Sequence, residues 1–502
     1  MIPGIDAGNS RFKYAVADQA GNPKIITNRY GEAFTPSAVY FAPDGSIIIG
    51  TEALNAGFAE PQRLVVNWKR DMGTDKPLHT DDNGKVYAAK DILAILLADA
   101  KENIEAKTDT VVNQAVVTVP ANYNDLQKRH TIEAGKSVGI EVILMPHEPT
   151  AAALGNQLYE RKGSTALVYD LGGGTFDVSI VRSNGNAMHI IATGGEQHLG
   201  GRDFNDCIAK KLMEEFEAKN NFKPSKEKHP IFYQEMAQRI EQLKISLSAQ
   251  PQGSVVLFCE GKQLQLTITR SQFNQWVQDL AQKTIEKTEA VIKEANLNIS
   301  AIDEIYAVGG GSMMPVITEM LEALIGKKIS RRCEPHCAAA LGAVLAGRIE
   351  YQKQGKKYTC GDVVLPAPNL IVHDILSHSI GVMALDRDNK EICSEILPKD
   401  TPIPSIQTKL FKLSEPNQTA VTIKVLQGDD GSHASDCQEL GHFELTDLPP
   451  RPDLIGRIEV TFSLDVNGLL TAKARDNASG KTEEMEINYD TKSNKDKQAN
   501  AA

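Results

Sequence analysis

The sequence predicts an α/β domain followed by an all-β sandwich, and three observations carry that reading. Apolar runs of strand length interleave with amphipathic helical stretches from residue 1 to about 350. Near residue 360 the texture changes to short alternating runs separated by turns. One pattern, apolar residues leading to Asp, x, Gly and a small polar residue, occurs near the start ("PGIDAGN") and again at 167 to 175 ("LVYDLGGGT"). Interleaved strands and helices argue for layered α/β architecture, and serial strands with turn residues between them argue for a sandwich.

The chain opens with "GIDAGNSRFKYAV", residues 4 to 16, which reads as a strand, a tight turn and a second strand. Such a turn can hold a phosphate, because its N–H groups and hydroxyls converge on one small space. "QAVVTV" and "TALVYD" read as buried strands. "RIEQLKISLSA" places Ile240, Leu243 and Leu247 at helical spacing, and "TRSQFNQWVQDLAQKTIEKTEAVIKEANL" is a longer helical stretch. "YTCGDVVLPAPNLIVHD" reads as an extended linker on its prolines and glycine. After it, "IGVMAL", "TKLFKL", "AVTIKVL", "GHFELTDL", "RIEVTFSL", "GLLTAKA" and "EMEINY" alternate, which predicts seven or eight antiparallel strands. The expected boundaries are 1–360 for the first domain, 361–374 for the linker and 375–490 for the β-domain. A polar, disordered tail is expected over 491–502.

A chain of 502 residues is long enough for several domains, each with its own core. The net charge of −11 offers no basic field for nucleic acid or an anionic membrane, so neither is expected as a partner. No apolar run approaches the roughly 20 residues that span a bilayer. Asp6 follows the N-terminus at once, so no signal peptide is expected. The seven cysteines are scattered, which argues for a reducing, cytoplasmic setting over a disulfide framework. "CEPHC", residues 333 to 337, lacks a neighbouring Cys/His pair and reads as a helix start at Pro335 with buried thiols.

The sharpest chemistry is in "DLGGGTFDVSI". Gly172, Gly173 and Gly174 let the backbone approach a phosphate closely and form an anion nest. Thr175 adds a hydroxyl donor. Asp170 and Asp177 flank the turn, and bare carboxylates would repel a phosphate; a Mg²⁺ ion between them and the phosphates would resolve this. "AVGGGSMMP", residues 307 to 315, is a third glycine turn after an apolar strand. The repeated Asp turn suggests two similar subdomains that present two acidic turns to one cleft.

These motifs, together with "VNWKRDMG", "AVVTVPANYNDLQKRHTIEAGKSVGIEV", "HEPTAAAL", "EQHLGGRDF", "NQTAVTIKVLQG", "LGHFELTDLPP" and "IEVTFSLDVNGLLTAKARDNASGK", resemble the seventy-kilodalton heat-shock chaperone family. The resemblance implies an α/β actin-like ATPase fold, two similar lobes around a nucleotide cleft, followed by an all-β sandwich that binds peptide. It implies ATP/ADP and Mg²⁺ as cofactors, with Asp6 and Asp170 holding the metal through water. Gly8, Asn9 and Ser10 would form the first phosphate turn, and Gly172 to Thr175 the second. Lys69 would reach the transferring phosphate, Glu148 and Asp177 would orient the attacking water, and Thr175 would join them. Such a set suits phosphoryl transfer, where positioning and charge neutralisation supply most of the catalysis. Glu241, Lys244 and Ser248 would meet the adenosine, and Gly309, Gly310, Ser312 and Met313 would close the adenine pocket. In the β-domain, Val382, Leu385, Phe411, Ser414, Val421 and Ile423 would surround a groove for an extended apolar segment of an unfolded polypeptide. A J-domain co-chaperone and a nucleotide exchange factor are the implied partners.

The sequence departs from the family pattern at named positions. Two adjacent threonines are usual where Asn9 and Ser10 stand, an arginine where Met313 stands, an acidic residue at His336 and an asparagine at His147. Pro366 and Pro368 interrupt the usual leucine-rich linker. The chain stops about where the β-domain ends, so a short member without the helical lid is expected, with weak and rapidly exchanging peptide. The competing readings are a low-turnover nucleotide-binding adaptor that holds one protein partner, and a small-molecule kinase on the same ATPase fold.

Overall fold

The computed structural model describes residues 1–361, 363–452 and 458–486. The chain divides into two units, residues 1–121 with 130–372, and residues 122–129 with those from 373 onward.

Two sheets organise the first unit. In the first, β1 (Gly4–Ala7) pairs antiparallel with β2 (Arg11–Ala17) and parallel with β3 (Gln114–Thr118), which pairs parallel with β4 (Glu141–Leu144). In the second, β5 (Thr165–Leu171) pairs antiparallel with β6 (Phe176–Ser183), and β6 with β7 (Ala187–Glu196). Strand β8 (Glu304–Val308) then pairs parallel with β5. The repeated sequence pattern is therefore a repeated topology: each Asp-bearing strand pairs antiparallel across its turn and parallel with a later strand. All seven residues of β5 are buried, as the apolar run Ala166–Tyr169 suits in a strand covered on both faces, and Asp170 is carried inside with it.

Helices supply the cover. Among them are α1 (Glu148–Gly155), α2 (Gly201–Asn220), α3 (Pro230–Ala249), α4 (Arg270–Glu294) and α5 (Ala338–Lys353). Ile240, Leu243 and Leu247 line the buried face of α3, at the helical spacing read from the sequence. Helix α4 starts on a capping box: Gln272 N–H donates to Thr269 Oγ1 (3.2 Å) and Thr269 N–H to Gln272 Oε1 (3.0 Å). Helices α1 and α5 approach so closely that a Cβ on Gly342 would overlap the Ala151 carbonyl, which explains their Ala and Gly content.

Two local expectations are corrected. The helix after "CEPHC" starts at Ala338, because a turn closed by Cys337 N–H on the Glu334 carbonyl (2.8 Å) precedes it, and Cys333 and Cys337 are half-buried. The start of the linker is not merely extended. Thr359–Cys360 pairs with Val363–Val364, and Tyr358 and Leu365 are buried in an apolar cluster of the first unit.

The second unit contains two four-stranded antiparallel sheets. Strands β9 (Ile380–Leu385), β10 (Glu391–Leu397), β11 (Ser405–Phe411), β12 (Val421–Gln427), β13 (Gln438–Leu445), β14 (Ile458–Leu464), β15 (Leu470–Asp476) and β16 (Thr482–Glu486) run in the orders β10-β9-β12-β13 and β11-β14-β15-β16. Ile380, Val382, Val425 and Leu440 of one sheet share a single core with Val460, Phe462 and Ala472 of the other, so the two form a sandwich. The "VNG" turn is closed by Asp465 Oδ1, which accepts from Asn467 N–H (2.9 Å) and Leu469 N–H (2.8 Å). The tail expected over 491–502 lies outside the described residues. Among the described residues, no helix is long and apolar enough to cross a membrane.

Candidate functional site

The β1–β2 turn and the β5–β6 turn meet inside the first unit. A Cβ on Gly174 would stand 2.7 Å from Asn9 Nδ2, and one on Gly173 would collide with Ser10 Oγ, so glycine is required for the turns to touch. The second turn points its carbonyls into protein: Gly201 N–H donates to Gly172 O (2.9 Å), Arg202 N–H to Gly173 O (2.9 Å), and Arg70 Nε to Gly174 O (2.9 Å). Because each peptide plane directs N–H opposite to C=O, the amides of Gly173, Gly174 and Thr175 turn to the other side as an anion nest. Gly309, in the third turn, has φ 79° and lies against this strand; a Cβ there would be 2.6 Å from Asp170 Oδ1.

Charged groups crowd the meeting point. Lys69 Nζ donates to Glu148 Oε1 at 2.6 Å, and both side chains are about nine-tenths buried. Antiparallel register sets Asp6 opposite Lys13 and Asp170 opposite Asp177. Lys13 forms a buried ion pair with Asp6. Burial, then Glu148, Asp177 and Asp6, hold the Asp170 carboxyl well above the usual carboxylate range, against the pull of Lys13. Burial and Glu148 push Asp177 up to about 7. Its Oδ1 atom is buried and has no hydrogen-bond partner among the described residues.

Four carboxylates, Asp6, Asp170, Asp177 and Glu148, thus share a buried space with two ammonium groups, Lys13 and Lys69. That surplus of negative charge and the orphaned oxygen fit a divalent cation. Among the described residues, no three His, Cys, Asp or Glu side chains converge as a ready-made metal cage.

Asn9 is committed to protein partners. Its Oδ1 accepts from Lys69 N–H (3.2 Å) and its Nδ2 donates to Asn67 Oδ1 (3.1 Å), whereas Ser10 is exposed beside Gly173. Gly8 carries the turn's other end, its carbonyl accepting from Ser37 Oγ (2.7 Å). On α3, Lys244 Nζ bonds Glu241 Oε2 and Asn205 Oδ1, both at 2.8 Å, and Ser248 Oγ donates to Lys244 O (3.0 Å). Burial pushes the Glu241 carboxyl up, but Lys244, Asn205 and Arg11 together outweigh it and the net direction is down. Ser312 Oγ donates to Gly309 O (2.8 Å), fixing the third turn, with Gly310 and a half-buried Met313 beside it.

Sequence reasoning missed several cleft residues. Arg70 ties the second turn to Asp203 (2.5 Å), which also accepts from Gly200 N–H (2.8 Å). Arg11 lies over the Phe34 ring (4.5 Å to its centroid), and its Nη1 is 3.2 Å from the His336 ring nitrogens. Burial and the neighbouring Arg11 push His336 down to about 4. Arg11 and Lys13 were legible as a pair, since residues two apart on a strand share a face. Asn67, Arg70 and Asp203 come together only through folding.

In the β-sandwich the six proposed groove residues fall into three environments. Val382 and Ile423 are inside the sandwich core. Phe411 and Val421 pack half-buried against it. Leu385 and Ser414 are exposed, Leu385 at the end of β9.

A protein-family model described as Hsp70 protein matches the chain over residues 2–501.

Proposed function

Because this chain belongs to the Hsp70 family, we propose that it is an ATP-dependent chaperone that binds short extended apolar segments of unfolded polypeptides. Nucleotide state sets its affinity for them. The family is one of ATPases with a general chaperone role that use nucleotide with Mg²⁺. The observation that carries the finer reading is the meeting of two glycine turns beside the buried Lys69–Glu148 pair.

On this reading the amides of Gly173 to Thr175 and the Ser10 hydroxyl cradle the phosphates, and Lys69 faces the group being transferred. Asp6 and Asp170 would hold Mg²⁺, Asp6 the weaker of the two because Lys13 already pairs with it; when bound, the metal neutralises phosphate charge. Glu148 and Asp177 orient the attacking water, and Asp177 is the group placed to accept its proton. Glu241, Lys244 and Ser248 bind the adenosine, and Gly309, Gly310, Ser312 and Met313 flank the base. Leu385, Phe411, Ser414 and Val421 offer the peptide a partly exposed rim, and Val382 and Ile423 support it from the sandwich core beneath. A J-domain protein stimulates hydrolysis and an exchange factor resets the cycle. The seven free thiols agree with a cytoplasmic setting.

A second reading, a low-turnover nucleotide-binding adaptor, is favoured by one observation. Asn9 spends its side chain on Asn67 and Lys69, leaving the first turn one hydroxyl for the phosphates. Steady-state ATP hydrolysis decides between them, measured with and without a J-domain protein. The chaperone reading expects turnover that rises with the J-domain protein and is lost in Lys69→Ala and Thr175→Ala. Wild-type turnover no faster than that of these variants, with nucleotide still bound, would select the adaptor.

A further inference from the structure

The two Asp-bearing hairpins share a topology but differ in one cross-strand partner. Opposite Asp170 stands Asp177; at the corresponding place opposite Asp6 stands Lys13. Lys13 is 8% exposed and its ammonium is paired with Asp6. A buried ammonium is costly to desolvate and is retained where carboxylates or phosphates surround it. Two residues earlier on the same face of β2, Arg11 reaches His336 beside Gly310, where a Cβ would be 3.9 Å from Arg11 Nη1. The first hairpin therefore sends two cations, both partly or wholly desolvated, toward the cleft, and the second sends two acids.

We propose that Lys13 supplies a protein-borne positive charge at the phosphate end of the cleft, so that this chain holds a nucleotide polyphosphate without requiring a divalent metal. The inference rests on the nucleotide reading above. Its physical content is a division of labour. Lys13 already neutralises Asp6, so that carboxylate neither repels a phosphate nor needs a metal between them. The orphaned Asp177 Oδ1 and its neighbour Asp170 keep their demand for a cation, so Mg²⁺ still adds to binding at the second hairpin.

The test is equilibrium binding of a fluorescent ADP analogue to the full chain, in Mg²⁺ and in excess EDTA. The proposal expects wild type to lose less than tenfold in affinity on metal removal. It expects Lys13→Met to lose more than a hundredfold in EDTA, and Lys13→Arg to behave as wild type. Should Lys13→Met fail to fold because Asp6 is left unpaired, the double variant Asp6→Asn/Lys13→Met removes the repelling carboxylate together with its partner; it is expected to bind in EDTA within tenfold of wild type, and a loss of a hundredfold or more overturns the proposal. Wild type that loses a hundredfold or more in EDTA overturns the proposal, as does Lys13→Met binding in EDTA like wild type. Absence of binding in both conditions overturns the nucleotide reading instead, which keeps the two failures distinct.

Discussion

Replacing the two members of the Lys69–Glu148 pair is expected to have unequal costs, because the charge around them is unbalanced. Both side chains are about nine-tenths buried and 2.6 Å apart. Breaking a buried pair by removing one partner costs about 3–5 kcal/mol when the other charge is left uncompensated. Lys69→Met does this in the worst way: it leaves Glu148 beside Asp177 and Asp170, whose carboxyls Glu148 already pushes up. Partial protonation of the cluster limits the damage, so the lower bound of about 3 kcal/mol is expected. Glu148→Gln removes an acid from a cluster with four acids and two lysines. Its amide oxygen can still accept from Lys69, and the main loss is the charge at the first turn of α1, about 0.3–1 kcal/mol. The expected difference, about 2 kcal/mol, would separate the urea midpoints by roughly 0.7 M if the slope is about 3 kcal/mol/M. Fluorescence of Trp68, buried next to Lys69, reports on the first unit and sidesteps the lack of two-state behaviour expected of a two-unit chain. Glu148→Gln costing as much as Lys69→Met would refute the reasoning, since the cluster would then hold no surplus of negative charge.

Three further outcomes are expected. Gly309→Val forces a β-branched residue to φ 79° and drives its Cβ into the Leu171 carbonyl and Asp170 Oδ1, so a loss of 3 kcal/mol or more is expected in thermal melting of the first unit. His336 sits near 4 in the folded chain and near 6.5 when unfolded, so the unfolded state binds more protons between those values. Stability from this residue is full above pH 6.5 and lost as pH falls toward 4; for a half-buried ring the screened magnitude is about 1–2 kcal/mol. His336→Gln should flatten the urea midpoint between pH 7 and pH 5, and an unchanged slope would exclude the residue as its source. Arg70→Lys keeps the charge but loses the fork that spans Gly174 O and Asp203, so nucleotide affinity should fall about tenfold in a binding titration, with unchanged affinity the contrary result.

What could be read from the sequence was local. The glycine turns, the strands around them and the apolar face of α3 follow from spacing within a dozen residues, and "DLGGGTFDVSI" contains both its acids and its nest. The partner of Asp6 was within reach of the same logic, because a tight turn over Gly8 to Ser10 forces Asp6 opposite Lys13. Long-range pairs were not legible: Arg70 with Asp203 and Arg11 with His336 are brought together by the packing of separate elements. In the sandwich, alternation marks two faces but does not say which is inward, and Val382 and Ile423 proved to be core. At the start of the linker, prolines signal an extended chain, whereas Val363–Val364 pair with Thr359–Cys360, a contact that local composition does not reveal.

Under the proposed function, nucleotide in the first unit controls peptide in the second. The most direct test is the release rate of a fluorescent apolar peptide from the full chain, in ADP and after addition of ATP. The account expects ATP to speed release at least tenfold. Release at one rate in both nucleotides, with ATP demonstrably bound, would contradict it.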